Sequence, residues 1–159
     1  MKKHQYKSQV VWEGNTGEGT KNYTSYGRDY TISHAHKLPI LGSSDPQFRG
    51  NPERINPEEL LLSSVSSCHM LWYLHLCSAN GVIVLSYSDD ATGVMVENAD
   101  GSGYFSEITL HPKVLVKDLK MIAKALELHH EANKLCFIAN SLNFKVLHVP
   151  TVEVLNDGM

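Results

Sequence analysis

The chain has 159 residues, enough for a core that needs no disulfide staples, and is 42% hydrophobic and 19% charged. A formal net charge of −3 leaves no basic patch to neutralise phosphates, which argues against nucleic acid or an anionic membrane as partner. Lys2 and Lys3 lead into no apolar run and no stretch approaches transmembrane length, so the cytoplasm is the expected compartment. In that reducing setting Cys68, Cys77 and Cys136 are expected as free thiols, catalytic or redox-cycling if paired. A single domain over residues 1–159 is expected.

In chain order, Tyr6–Trp12 reads as a first strand and Glu13–Lys21, rich in Gly, Asn and Thr, as a turn. Asn22–Ala35 is a second strand region in which Gly27 marks a bulge or a close backbone approach, with Arg28 following it. Leu38–Ile55, with three prolines and two glycines, reads as a long irregular loop of the functional kind. Val82–Tyr87 and Thr92–Glu97 are short β-branched strands. Glu107–Val116 alternates as one strand, with Pro112 pointing to an edge or a bulge. Asp118 can cap a helix carrying Leu119, Ile122, Leu126 and His129. A bend or second short helix follows near Asn133 and contains Cys136. Phe144–Val154 closes the chain as a strand. The fold class is α+β rather than a βαβα alternation.

Between these strands lies the element that organises the chain, Asn56–Gly81. Asn56 is a favoured N-cap, Pro57 fits the first helical position, Glu58 and Glu59 suit the positive end of the dipole, and Asn80-Gly81 stops the helix. Leu61, Val65, Cys68, Trp72 and His75 fall on one stripe, widened by further leucines, which predicts a helix buried on most sides.

Cys68 sits in the middle of this helix. A lone cysteine on an apolar face is ordinarily a small hydrophobe, and a nucleophilic role needs a cation from elsewhere in the fold to favour thiolate. Arg28 is one candidate, against the alternative of a solvated strand arginine. Glu58 could orient it, against the alternative of a simple helix-terminus charge. Glu58 precedes Cys68 by ten residues, about 15 Å along one helix, so it cannot serve the cysteine of its own chain. Two copies crossing antiparallel near the small residues Ser63, Ser64, Ser66 and Ser67 would bring Glu58 of one to Cys68 of the other, which predicts a two-fold dimer with composite sites. Cys136 is either a buried helical thiol or a resolving one, and Cys77 reads as core. His69 points about 100° away from Cys68, so adjacency makes no Cys–His dyad. Zinc ligation by His129 and His130 with the thiols is a minor alternative, and no metal site is expected.

The run NPEELLLSSVSSCHML, with Gly27-Arg28-Asp29 upstream and Cys136 followed by FIANSLNFKV, resembles the OsmC/Ohr family of thiol-dependent peroxidases over about Tyr26–Val146. The resemblance implies an intertwined α+β homodimer with long central helices packed against antiparallel β-sheets. It also implies that Cys68 attacks the peroxide O–O bond, and that Cys136 condenses with the resulting sulfenic acid to a disulfide. Arg28 and Glu58 would hold thiolate and peroxide. Trp72, Tyr73 and Phe137 are candidate substrate contacts, and Phe137 stands where family members commonly carry a proline. The expected activity is reduction of organic hydroperoxides, and of hydrogen peroxide less well. It would need no cofactor, and an external thiol, such as a dihydrolipoyl protein, would supply the electrons. The competing reading is a non-catalytic dimeric module binding a small apolar ligand, with the cysteines as core residues.

Overall fold

The computed structural model describes residues 1–155. Its contacts fall into two compact units, Met1–Leu60 and the chain from Leu61 onward.

In the first unit β1 (Gln9–Trp12), β2 (Tyr30–Ser33) and β3 (Ile40–Gly42) form an antiparallel sheet in that order. Gly14 and Gly27 meet across the loop that joins β1 to β2: the Gly27 N–H donates to Gly14 O at 2.8 Å. A Cβ on Gly14 would lie 1.9 Å from Gly27 O, so the expected close approach at Gly27 is real. The segment Leu38–Ile55 is not wholly irregular. It contains β3 and a short 3₁₀ turn, Pro46–Phe48, capped by the Asp45 carboxylate accepting from Gln47 N at 2.8 Å.

Helix α1 (Pro57–Ala79) begins where the sequence predicts. Asn56 Oδ1 accepts from Glu59 N at 2.8 Å, and Glu59 Oε2 accepts in return from Asn56 N at 3.0 Å, a reciprocal capping box. At the other end Val82 N donates to Cys77 O at 2.9 Å and Gly81 N to Ser78 O at 3.4 Å, with Gly81 at φ +71°, a Schellman termination that glycine adopts without strain. The buried stripe is Val65, His69, Tyr73 and Cys77. This corrects the predicted stripe: Cys68 is half-buried, His75 is exposed, and Leu71 is 63% exposed. Leucines occupy several faces of this helix, so apolarity alone does not say which face turns inward. Among the described residues α1 is also the one helix long and apolar enough to cross a membrane, a test that core helices pass as well.

The second unit holds two three-stranded sheets, β4–β7–β9 and β5–β6–β8. The first comprises β4 (Val84–Asp89), β7 (Pro112–Val116) and β9 (Thr151–Val154); the second comprises β5 (Thr92–Glu97), β6 (Gly103–Leu110) and β8 (Val146–His148). The two predicted strands Glu107–Val116 and Phe144–Val154 each divide in two and change sheets. His111 separates β6 from β7, and Val149-Pro150 separates β8 from β9. They run side by side throughout, Ile108 opposite Val146 and Val116 opposite Val154, and these pairings are parallel, whereas β4–β7 and β5–β6 are antiparallel. Pro112 is no edge residue, since β7 is the middle strand. It is tolerated as the first residue of that strand, where no ladder N–H is missing from the interior.

Asp118 caps a 3₁₀ turn, Leu119–Met121, that runs into α2 (Ile122–Leu135). The core has two clusters: Tyr73, Cys77, Val114, Val116, Ala125, Leu128 and Ala132 in one, and Val65, Ile108, Leu110 and Val146 in the other. His69 falls between Val65 and Tyr73 on the α1 stripe that serves both.

Candidate active site

The Cys68 thiol lies close enough to Cys136 to help raise its pKa. Both are free thiols, Cys68 half-buried and Cys136 1% exposed. Cys136 does not lie within a helix, as the sequence predicts, but caps the C-terminus of α2 with extended backbone, φ −66° and ψ 108°. The helix thus ends at Leu135, immediately before the thiol. Its sulfur accepts the Ala139 N–H at 3.4 Å, at the start of the 3₁₀ turn Ala139–Ser141. Burial, followed by the adjoining Cys68 thiol, pushes Cys136 up to about 11, against the downward pull of the Ala139 and Ile138 amides.

An aromatic pair stands beside the thiols. Trp72 lies one turn beyond Cys68 on α1, and Phe137 follows Cys136. Their rings pack edge to face, centroids 5.6 Å apart, with Phe137 67% exposed. Trp72, with Leu71 and His75, also lines an open apolar hollow of about 300 Å³. Tyr73, the third aromatic singled out from the sequence, is fully buried and stacks on His129 at 3.8 Å, away from any open surface.

Arg28 and Glu58 belong to the first unit. The Arg28 guanidinium donates to Tyr23 O at 2.7 Å and to Tyr26 O, and lies 4.4 and 4.1 Å over the rings of those tyrosines. Among the described residues it forms no ion pair with Glu58. Glu58 stands near Tyr30, whose phenol is raised first by burial and then by the Glu58 charge. The arginine that does pair with carboxylates is Arg54, with Asp29 at 3.3 Å and Glu13 at 3.5 Å. Arg54 lies inside the segment that reads as an irregular loop, and the sequence marks it only by its position just before the NPEE helix entry.

A second polar cluster was also missed. His69 Nε2 and His129 Nδ1 are 3.0 Å apart and both residues are fully buried. His148 completes a trio, its ring 5.8 Å from His69, while exposed His130 packs against His148 at 4.9 Å. Among the described residues His69 Nδ1, His129 Nε2 and both nitrogens of His148 have no hydrogen-bond partner. Burial first, then the neighbouring imidazoles, lowers His69 to about 4 and His129 to about 3. Three histidines from α1, α2 and β8 cannot be linked by spacing, although the inward side of α1 follows once His69 replaces Cys68 on the stripe. Among the described residues no group of three or more His, Cys, Asp or Glu side chains is arranged to hold a metal ion.

The comparisons with known proteins fit this geometry. A family model described as OsmC-like protein matches residues 50–148, more than half the chain. The chain belongs to the OsmC-like family. An OsmC-like protein of unknown function from Vibrio cholerae is similar at 27% identity, with a TM-score of 0.83, over 94% of this chain and 100% of that one. Organic hydroperoxide resistance proteins from Elizabethkingia anophelis and Legionella pneumophila share the fold, with TM-scores of 0.67 and 0.64. Their identities are 17% and 15%, over 96% of this chain in both cases and 99% and 100% of theirs. Among curated proteins none matches.

Proposed function

We propose that this OsmC-like protein is a cytoplasmic, homodimeric, thiol-dependent peroxidase that reduces organic hydroperoxides. The observation that supports this reading is the proximity of Cys68 to Cys136, 68 positions apart in sequence and both free thiols. The half-buried Cys68 is the attacking sulfur. Its thiolate takes the distal peroxide oxygen, breaking the O–O bond; the alkoxide leaves and is protonated to the alcohol, and Cys68 becomes a sulfenic acid. The Cys136 sulfur then attacks the Cys68 sulfur, a disulfide forms, and water leaves. Two electrons from an external thiol, a dihydrolipoyl protein being one candidate, return both cysteines to the thiol state.

The apolar hollow beside Trp72, together with exposed Phe137, suits an organic peroxide better than hydrogen peroxide, which has no apolar surface to bury. The exposed side of α1, with Ser63, Ser67 and Leu71, is the side on which a second copy would cross. Glu58 of the partner subunit would then approach Cys68, and Arg28 would have to leave its tyrosine cradle to act there.

The test is mass spectrometry before and after one equivalent of cumene hydroperoxide. A loss of two hydrogens, with Cys68 and Cys136 in one disulfide-linked peptide pair, is expected. Unchanged thiols, or turnover that survives Cys68→Ser, would end the reading. Light scattering at micromolar concentration is expected to give twice the chain mass, and a monomer would remove the composite site.

A further inference from the structure

Cys68 and Cys136 are not equivalent once joined, and the difference bears on how the disulfide is reopened. This step rests on the peroxidase reading. Thiol–disulfide exchange is a displacement at sulfur, in which the incoming thiolate approaches behind the sulfur it attacks, along the line of the S–S bond. Behind Cys136 there is no open approach. The residue is 1% exposed, its sulfur faces Cys68 on one side, and on its own side the chain folds back into the turn whose Ala139 N–H points at that sulfur from 3.4 Å. Cys68 is half-buried on α1, beside the aromatic pair Trp72–Phe137, in which Phe137 is largely exposed.

The same contacts also act on the departing sulfur. Burial holds the Cys136 thiol high and so works against its departure; the Ala139 N–H already aimed at its sulfur offsets part of that cost, so access to Cys68 rather than leaving-group acidity selects the sulfur attacked. Among the described residues no such backbone donor reaches Cys68, which lies within α1, where the amides are taken by the helix.

We propose that the external thiol attacks Cys68, so that the mixed disulfide is carried by the same cysteine that meets the peroxide, and Cys136 departs as the thiolate. One S–S bond forms between the reductant and Cys68 while the Cys68–Cys136 bond breaks, and the electron pair goes to Cys136, which then takes a proton. A second thiolate, from the same reductant or another molecule, attacks the reductant's sulfur in the mixed disulfide. That step releases Cys68 as thiolate and the reductant as its disulfide, for a net transfer of two electrons. Cys136 and its turn thus serve as a stationary leaving group, and one opening beside Cys68 serves both half-reactions.

The experiment joins the two cysteines with one equivalent of diamide, which oxidises dithiols without any peroxide chemistry. One equivalent of N-acetylcysteine is then added, the mixture is quenched with acidic N-ethylmaleimide, and the peptides are mapped. N-acetylcysteine on Cys68 with maleimide on Cys136 is expected, in excess over the reverse by about ten to one or more. The reverse pattern, an even distribution, or a failure of diamide to link the two would overturn the proposal. Inertness toward cumene hydroperoxide, with diamide and mapping giving the expected pattern, would remove the peroxidase reading alone. A second arm reacts the full-length Cys136→Ser and Cys68→Ser proteins with 5,5′-dithiobis(2-nitrobenzoate). Cys68 is expected to react about tenfold faster than Cys136 or more, and equal or inverted rates would overturn the assignment.

Discussion

Cys68 and His69 are neighbours on α1, yet they serve opposite physical regimes. Cys68 is half-buried and meets another reactive group, Cys136, at a helix end where a backbone amide supports the sulfur. His69, about 100° round the helix, is sealed in the interior against His129, with ring nitrogens left unpaired. One polar cluster pairs a half-buried group with a buried one beside a backbone amide; the other is held neutral by burial. Perturbed groups cluster at functional sites, but structural clusters perturb them as well. Here the larger displacements belong to the histidines, so position and partner identify the working groups better than the size of a shift does.

The sharpest way to break this comparison is to exchange the roles. Cys68→Ser is expected to lower peroxide turnover by roughly three orders of magnitude, because a hydroxyl is neither ionised at neutral pH nor an adequate nucleophile toward O–O. Its thermal midpoint should stay within a few degrees of the parent. His129→Ala is expected to do the reverse. Removing a fully buried imidazole that stacks on Tyr73 opens a cavity and leaves His69 Nε2 without its partner, at a cost on the order of 3 kcal/mol in urea unfolding. Turnover per folded molecule should change little. If His129→Ala instead removes activity at full stability, the histidines belong to the catalytic apparatus. The double change His69→Phe with His129→Leu removes both polar partners together, and most of the lost stability should return.

The histidine cluster also has a pH signature in the acid range. Its imidazoles sit below their ordinary 6.5 in the folded chain, at about 4 for His69 and about 3 for His129, with His148 lowered too. Above pH 6.5 both folded and unfolded states are neutral and no penalty arises. As pH falls below 6.5 the unfolded chain takes up protons that the folded chain refuses, so stability declines by about 1.4 kcal/mol per pH unit for each such histidine. For His69 the decline ends near pH 4, a total on the order of 3 kcal/mol. Tyr73 and His130 also face the cluster, Tyr87 packs on Tyr73, and Lys145 lies near His148. Urea midpoints between pH 7 and 4.5 should fall steeply in the parent and much less in the Phe/Leu double variant. An equal slope in both would move the acid response to other groups.

Legibility in the sequence followed the range of the interactions. The start and stop of α1 were readable because capping is local: Asn56, Pro57, Glu59 and Gly81 act within one turn of the helix ends. The thiol pair could be named only through family resemblance, since nothing in spacing brings residue 136 to residue 68. The orientation of α1 was misread because Leu61, Leu71 and Leu74 make several faces equally apolar, and a one-residue rotation exchanges Cys68 for His69 on the buried stripe. The strands Glu107–Val116 and Phe144–Val154 kept their alternation across a change of sheet, so periodicity gave no sign of the break. Only Pro112 and Pro150 marked it. The parallel pairing of the two split strands joins residues 38 positions apart, beyond any local signal.

The smallest predicted effect tests whether the two clusters are independent of the helix entry that precedes them. Asn56→Ala deletes the side-chain acceptor for Glu59 N and breaks one half of the capping box, which costs about 1 kcal/mol. The loss acts at the first turn, where Glu58 stands, and Cys68 lies about three turns further along α1. Diamide should therefore link Cys68 to Cys136 in Asn56→Ala as readily as in the parent, and the acid slope should be unchanged. Peroxide turnover, in contrast, should fall by a few fold, because fraying of the first turn loosens the Glu58 that the dimeric site is proposed to borrow. Unaltered turnover at the reduced stability would mean that Glu58 serves the helix terminus alone, and that Cys68 finds its activating charge elsewhere.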